Sequence, residues 1–283
     1  MIRFGPSGNS DEFYEEGYSK SIEAPKWLNE KGLNAYEYSF GRGILLKEQT
    51  AVELCEEAKK YDIEISVHAP YYINFANPSD EMAEKSYNYV IESLKMLKLL
   101  GGKHCVVHTA TVGKMNREDA VNLASKRLKE LAKRIRENNL GDMKVCLETM
   151  GKNNQIGTYI EIVDFCKLDY IYLPTFDFGH INALTQGSLK TEEDYEQIIK
   201  YLFENLDEER AKNIHIHFSK IEYSKGGEVR HLTFEDNIYG PEFAPLAKII
   251  KKYNMTPVII CESKGTMAKD ALTMKKIYEN VEI

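Results

Sequence analysis

The chain has 283 residues, 43% of them hydrophobic and 11% aromatic, enough for one sizeable α/β core. A formal net charge of -7 argues against a surface that holds nucleic acid through basic patches alone, although bound divalent cations reverse the sign of a local cleft. No run approaches the roughly 20 apolar residues of a membrane helix, and the opening MIRFGPSGNSDEF has no secretory pattern. The five cysteines form no C-x-x-C pair, which implies reduced, buried thiols. We expect a cytoplasmic protein that acts as a monomer and does not contact membranes.

In chain order, short runs rich in β-branched and aromatic residues alternate with helical patterns. Strands are predicted over residues 2–5, 35–40, 64–68, 104–109, 144–149, 171–177, 213–218 and 257–262. Between them, residues 81–100 place Met82, Val90, Leu94 and Leu97 near one face and stop at Gly101. Residues 117–138 do the same with Leu123, Leu128, Leu131 and Ile135 and stop near Gly141. No linker divides the sequence. Eight strands alternating with helices in one undivided chain predict a single (β/α)8 barrel, a TIM barrel, over residues 1–283. An open doubly wound sheet is disfavoured because FGPSGNS, after the first strand, does not fit G-x-G-x-x-G.

In such a barrel, functional side chains sit at the C-terminal ends of strands. His68 ends SVH, His108 ends VVH, Glu148 ends VCLE, Asp177 ends PTFD, His215 lies late in NIHIH, and Glu262 ends IICE. Because alternate residues of a strand share a face, Ser66, Val106, Cys146, Thr175, Asn213 and Ile260 should line the barrel beneath them. A lone His or Glu at a strand end is usually a satisfied loop-edge residue. Six in phase, with no Lys or Arg among them, are costly to bury unless a divalent cation pairs them. Mixed nitrogen and oxygen donors favour Zn²⁺, with Mn²⁺ or Fe²⁺ as alternatives. His180 in DFGH and His231 in EVRH enter through loops. Eight candidates exceed the four ligands of one zinc and suit two or three ions. His104 starts its strand and is expected to be structural, while His217 is expected to touch substrate or support a ligand from behind.

With these residues placed, the ordered set VHAPYYINFANP, VVHTATVG, CLETMGK, FDFGHINA, HIHFSK and CESKG resembles the endonuclease IV family of apurinic/apyrimidinic endonucleases, within the xylose-isomerase-like barrels. The likeness runs from about His68 onward. It implies three zinc ions and hydrolysis of the DNA phosphodiester 5′ to an abasic site in double-stranded DNA. By resemblance, His68 and His108 hold one ion, Glu148 bridges to a second completed by Asp177, His215 and Glu262, and His180 and His231 serve a third. His215 is preferred to His217 because the family's metal histidine is followed four positions on by Ser and Lys, here Ser219 and Lys220. Glu148 and Glu262 would be the catalytic carboxylates. Tyr71 matches the family's aromatic near the abasic nucleotide, and Arg42 would take the place of its DNA-penetrating loop.

The sequence departs from the family at three points. Val229 stands where an Asp-x-His would supply a ligand, leaving Glu228 one residue away; Phe218 replaces an Asp; and SFGRGILL offers no long inserted loop. The alternative function is a sugar isomerase or epimerase on the same barrel. It would use one ion held by Glu148, Asp177, His215 and Glu262, and would have no need of His68, His108, His180 and His231.

Overall fold

Eight parallel strands wind in sequence order through one sheet: β1 (Arg3–Pro6), β2 (Ala35–Ser39), β3 (Glu64–His68), β4 (His104–His108), β5 (Lys144–Glu148), β6 (Tyr172–Asp177), β7 (His215–Phe218) and β8 (Val258–Cys261). The computed structural model describes residues 1–282. β1 pairs with β8 along its length. The remaining seam, between β1 and β2, closes through a parallel bridge of Ser7 with Glu37. There the Gly8 N–H donates to the Glu37 carbonyl at 2.8 Å, and the Asn34 N–H donates to Phe4 O at 3.0 Å. The fold is the expected (β/α)8 barrel.

Period-two alternation sorts the strand residues. Outward-facing Val67, Val107, Leu147, Phe176, Ile216 and Ile259 join the large core beneath the helices. Inward-facing Val106, Cys146 and Leu173 form one small plug inside the barrel, and Ala35, Val258 and Ile260 form another. Asn213 does not line the interior as expected. The short helix Glu208–Lys212 runs up to it, its side-chain amide donates to Glu209 O at 2.8 Å, and β7 starts only at His215.

The two long predicted helices are present as Asp80–Leu99 and Arg117–Glu137, with the Ser79 and Asn116 side chains accepting from the first-turn N–H groups of Met82 and Asp119. Gly101 ends the first in a left-handed conformation, φ 73°. The second ends earlier than Gly141. Asn139 takes the left-handed φ of 56°, and Leu140 N–H closes on Ile135 O at 3.1 Å. Among the described residues no helix is long and apolar enough to cross a membrane.

Two small antiparallel pairs stand on the C-terminal rim. The first pairs Ala110–Thr111 with the distant Gln155–Ile156; the second is a hairpin of Ile221–Ser224 and Gly227–His231. This hairpin is tied to the loop after β5 by a Lys152–Gly227 bridge and by Glu228 N–H donating to Gly151 O at 2.8 Å.

The β1–β2 seam is tight enough to test. A Cβ on Gly5 would lie 1.8 Å from the Ala35 carbonyl oxygen. Gly5→Ala should therefore lower unfolding free energy by at least about 1–3 kcal/mol, as over-packing does. Urea denaturation monitored by circular dichroism checks this; an unchanged midpoint would show a looser seam.

Candidate metal centre

The C-terminal rim gathers three groups of donor atoms, each compact enough for one divalent ion. The first is His68, His108 and Glu148. The second is Glu148, Asp177, His217 and Glu262. The third is His180, Glu228 and His231. Glu148 belongs to two groups. Its Oε2 lies 3.2 Å from His68 Nε2 and 2.9 Å from His108 Nε2, while its Oε1 lies 2.9 Å from His217 Nδ1. Glu262 Oε1 lies 3.6 Å from the same His217 nitrogen, and Asp177 Oδ2 is buried without a hydrogen-bond partner. Glu228 Oε2 lies 3.5 Å from His180 Nε2. The ionic contacts of these carboxylates are with imidazoles and not with lysine or arginine.

Neighbouring groups turn the imidazoles toward the rim. His68 Nδ1 donates to the Ala69 carbonyl at 2.9 Å, and His180 Nδ1 donates to the Thr149 carbonyl at 3.0 Å. His231 Nδ1 meets the Ser219 hydroxyl at 2.8 Å. In each ring this occupies one nitrogen and leaves Nε2 as the lone-pair donor facing the group, the arrangement ligand histidines adopt.

The electrostatics are those of a site built to hold positive charge. Burial works against ionising Glu148, but the imidazoles of His217 and His108 outweigh it and hold its carboxyl well below the usual range. Burial raises Asp177, against the pull of His180, to about 6. Burial also disfavours charged imidazoles. Even so, Glu148 lifts His68 and the carboxylates of Asp177 and Glu148 lift His180, each to about 9. Protons and divalent cations therefore compete for the same nitrogens. An Asp177 oxygen without a hydrogen-bond partner, oriented imidazoles and mixed N/O donors fit Zn²⁺ or a similar ion in each group.

The structure does not bring His215 into the three rim groups. His215 pairs in register with Thr175 and Val258, and its Nε2 lies 2.9 Å from Glu37 Oε2, whereas His217 pairs with Asp177 and Ile260. It is His217 that joins Glu148, Asp177 and Glu262. Both histidines share a face, so the strand pattern does not separate them; their side-chain contacts do, His215 with Glu37 and His217 with Glu148. His217 is 0% exposed, which also removes it from the substrate contacts expected of it.

Beneath the rim stands a residue the sequence reading passed over. Glu37, in the middle of β2, is fully buried and lies 2.9 Å from His215 Nε2 and 3.0 Å from His217 Nε2. A carboxylate inside AYEYS, flanked by aromatic strand residues, was the available signal. His104 is structural in position as expected. Its ring sits 5.6 Å from that of His215, and burial, reinforced by charge on His215 and Lys144, holds it neutral with its pKa lowered to about 3.

A cavity of about 250 Å³ opens over the groups, lined by His68, His108, Glu148, His180, His231 and Glu262, with Tyr71 and Lys152 also in its wall. Tyr71 is 46% exposed and packs on Tyr72 at a ring distance of 4.5 Å. Arg42 does not line the cavity; its Nε donates to the Tyr71 hydroxyl at 3.0 Å.

A closed eight-stranded barrel with carboxylates and imidazoles converging on its C-terminal rim defines a class, and the family described as the xylose isomerase-like TIM barrel matches residues 25–277; the chain belongs to that family. Among its relatives is an uncharacterized protein of Methanocaldococcus jannaschii, 31% identical over 285 residues, covering 99% of this chain and 98% of that one. A probable endonuclease 4 of Mycoplasmopsis synoviae is 28% identical over 209 residues, covering 70% of this chain and 68% of that one. Among solved structures, a D-tagatose 3-epimerase-like protein superposes with a TM-score of 0.70 at 20% identity over 98% of this chain and 96% of that one, which shows the shared fold.

Because His68 and His180 carry protons below about pH 9, cation binding must displace them. Zinc titration at pH 7.5 is expected to release protons, and the apparent affinity to weaken steadily as pH falls. Calorimetry in buffers of differing ionisation enthalpy measures both, and a pH-independent affinity would contradict this electrostatic account.

Proposed function

We propose that the protein is a zinc-dependent phosphodiester hydrolase of the endonuclease IV kind, cleaving double-stranded DNA 5′ to abasic sites. The observation that carries this reading is the presence of three adjoining donor groups around one cavity, two of them sharing Glu148. Glu228 supports the third group by occupying the place that Val229 cannot fill: Val229 is 51% exposed, whereas the Glu228 carboxylate turns inward to His180. The relationship to a probable endonuclease 4 supports the same direction.

Bound divalent cations would make hydroxide available near neutral pH and neutralise a departing oxygen. The chain's own groups would do the rest. Glu148, spanning two groups, would fix their separation. Glu262 faces the cavity and is kept ionised, the His217 imidazole outweighing the effect of burial, so it can accept a proton from attacking water. Tyr71 and Tyr72 offer exposed rings on which a nucleotide beside the gap could stack, and Arg42 and Lys152 lie near enough to meet phosphates. The net charge of -7 is compatible with a polyanion only because the cavity itself would be cationic when loaded.

A second reading, a single-ion sugar isomerase or epimerase, draws on the group Glu148, Asp177, His217 and Glu262 taken alone and on the fold shared with the epimerase-like protein. It leaves the other two donor groups without a task. Metal analysis separates the readings. We expect two or three zinc ions per chain and a chelator-sensitive nick 5′ to an abasic analogue. One ion per chain with no nick would transfer the case to the isomerase. Glu148→Gln should lower the rate by at least the roughly 10²–10³ that loss of one preorganised electrostatic group costs, together with bound metal. Glu228→Gln should lower the zinc content by one ion.

A further inference from the structure

We propose that Glu37 is a positioning residue: its buried carboxylate holds His217 by Nε2 and thereby aims Nδ1 at the donor group of Glu148, Asp177 and Glu262. The proposal rests on the metal-centre part of the function proposed above and is independent of DNA as the substrate. His217 stands between two carboxylates. Its Nδ1 is hydrogen-bonded to Glu148 Oε1 at 2.9 Å. Its Nε2 makes an ion-pair contact with Glu37 Oε1 at 3.0 Å, these last two atoms being buried with no hydrogen-bond partner. The other rim imidazoles with a defined support lean on neutral acceptors, namely the carbonyls of Ala69 and Thr149 and the hydroxyl of Ser219. His217 alone of these leans on a charged one. A carboxylate behind a ligand histidine fixes the tautomer and makes the ring a stronger donor.

Glu37 is itself held firmly. Its Oε2 accepts from Ser66 Oγ at 2.8 Å and from His215 Nε2 at 2.9 Å, which leaves Oε1 for His217. Its main chain forms the seam that closes the barrel, bridging Ser7 and accepting from Gly8 N–H. The carboxylate is 0% exposed and so acts through His217, without meeting substrate. His215 thereby acquires a role as well: it is the anchor of the positioning carboxylate. The atoms of Glu37, His215 and His217 also lie close enough together to enclose an ion of their own. The experiment must therefore separate support of one ion from possession of another.

The test compares wild type with Glu37→Gln, His217→Ala, the double variant, and Ser66→Ala, which removes only a donor to Glu37. Zinc is titrated against a competing chromophoric chelator, and the content at saturation is counted by atomic emission. The expected result for Glu37→Gln is an unchanged count at saturation, with one ion bound about 10–100-fold more weakly, the usual range for loss of a group supporting a ligand. The double variant should bind that ion no more weakly than His217→Ala. Ser66→Ala should weaken it in the same direction by a smaller factor, and it decides the matter if Glu37→Gln does not fold. Unchanged affinity in Glu37→Gln or, where that does not fold, in Ser66→Ala would overturn the proposal. So would a further loss in the double variant, or one ion fewer at saturation, which would mark Glu37 as a ligand. If wild type holds zinc in the His217 group but does not nick abasic DNA, the proposed hydrolase fails and this inference stands; if that group holds no zinc, both fail.

Discussion

The structure depends on how Glu148 is neutralised. This carboxylate is 1% exposed and meets four imidazoles, those of His68, His108 and His217 from three other strands and, at 3.7 Å, that of His180. An isolated buried charge of this kind is expensive, and mutual attraction repays the cost only where geometry is good and the remaining lone pairs are occupied. Every other part of the rim can be understood as a response to that demand. The imidazoles surround the carboxylate, backbone carbonyls and a hydroxyl orient the rings, and Asp177 and Glu262 bring further negative charge that a cation would balance.

The barrel makes such crowding tolerable. Parallel strands in sequence order bring the strand-borne donors to one rim, above the small apolar plugs Val106–Cys146–Leu173 and Ala35–Val258–Ile260. Between plug and rim lies a polar layer of Glu37, Ser66 and His215, which touches His217 of the rim, with contacts of 2.8 to 3.0 Å. This layer passes from apolar interior to charged surface without an abrupt change of environment. It also ties the centre to the seam where the sheet closes, so the integrity of the fold and the geometry of the site share one residue.

Much of this was legible in the sequence. Strand positions follow from β-branched runs closed by polar residues, and His68, His108, Glu148 and Asp177 end their strands as the pattern places them, whereas His180 and His231, expected in loops, lie on the helix Phe178–Leu184 and on a hairpin strand. What periodicity could not supply was the choice between two histidines. His215 and His217 are equivalent by face, and only their side-chain contacts, with Glu37 and with Glu148 respectively, tell them apart. Glu37 was overlooked because a mid-strand carboxylate has no motif of its own; its meaning comes from imidazoles nearly 180 positions away in the chain. Glu228 was visible only as a neighbour of an unsuitable Val229, and it took the hairpin geometry to turn its side chain inward.

The hairpin that carries Glu228 and His231 owes its position to a missing methyl group. At its tip Gly227 has φ 98° and a hypothetical Cβ 2.1 Å from the Gly151 carbonyl oxygen, where the hairpin touches the loop that follows Glu148. Any side chain there would lift the whole ribbon away from that loop, carrying Glu228 and His231 from His180. The third donor group is thus detachable: one codon, at a residue that offers no donor atom itself, would dissolve it while leaving the barrel and the other two groups as they are.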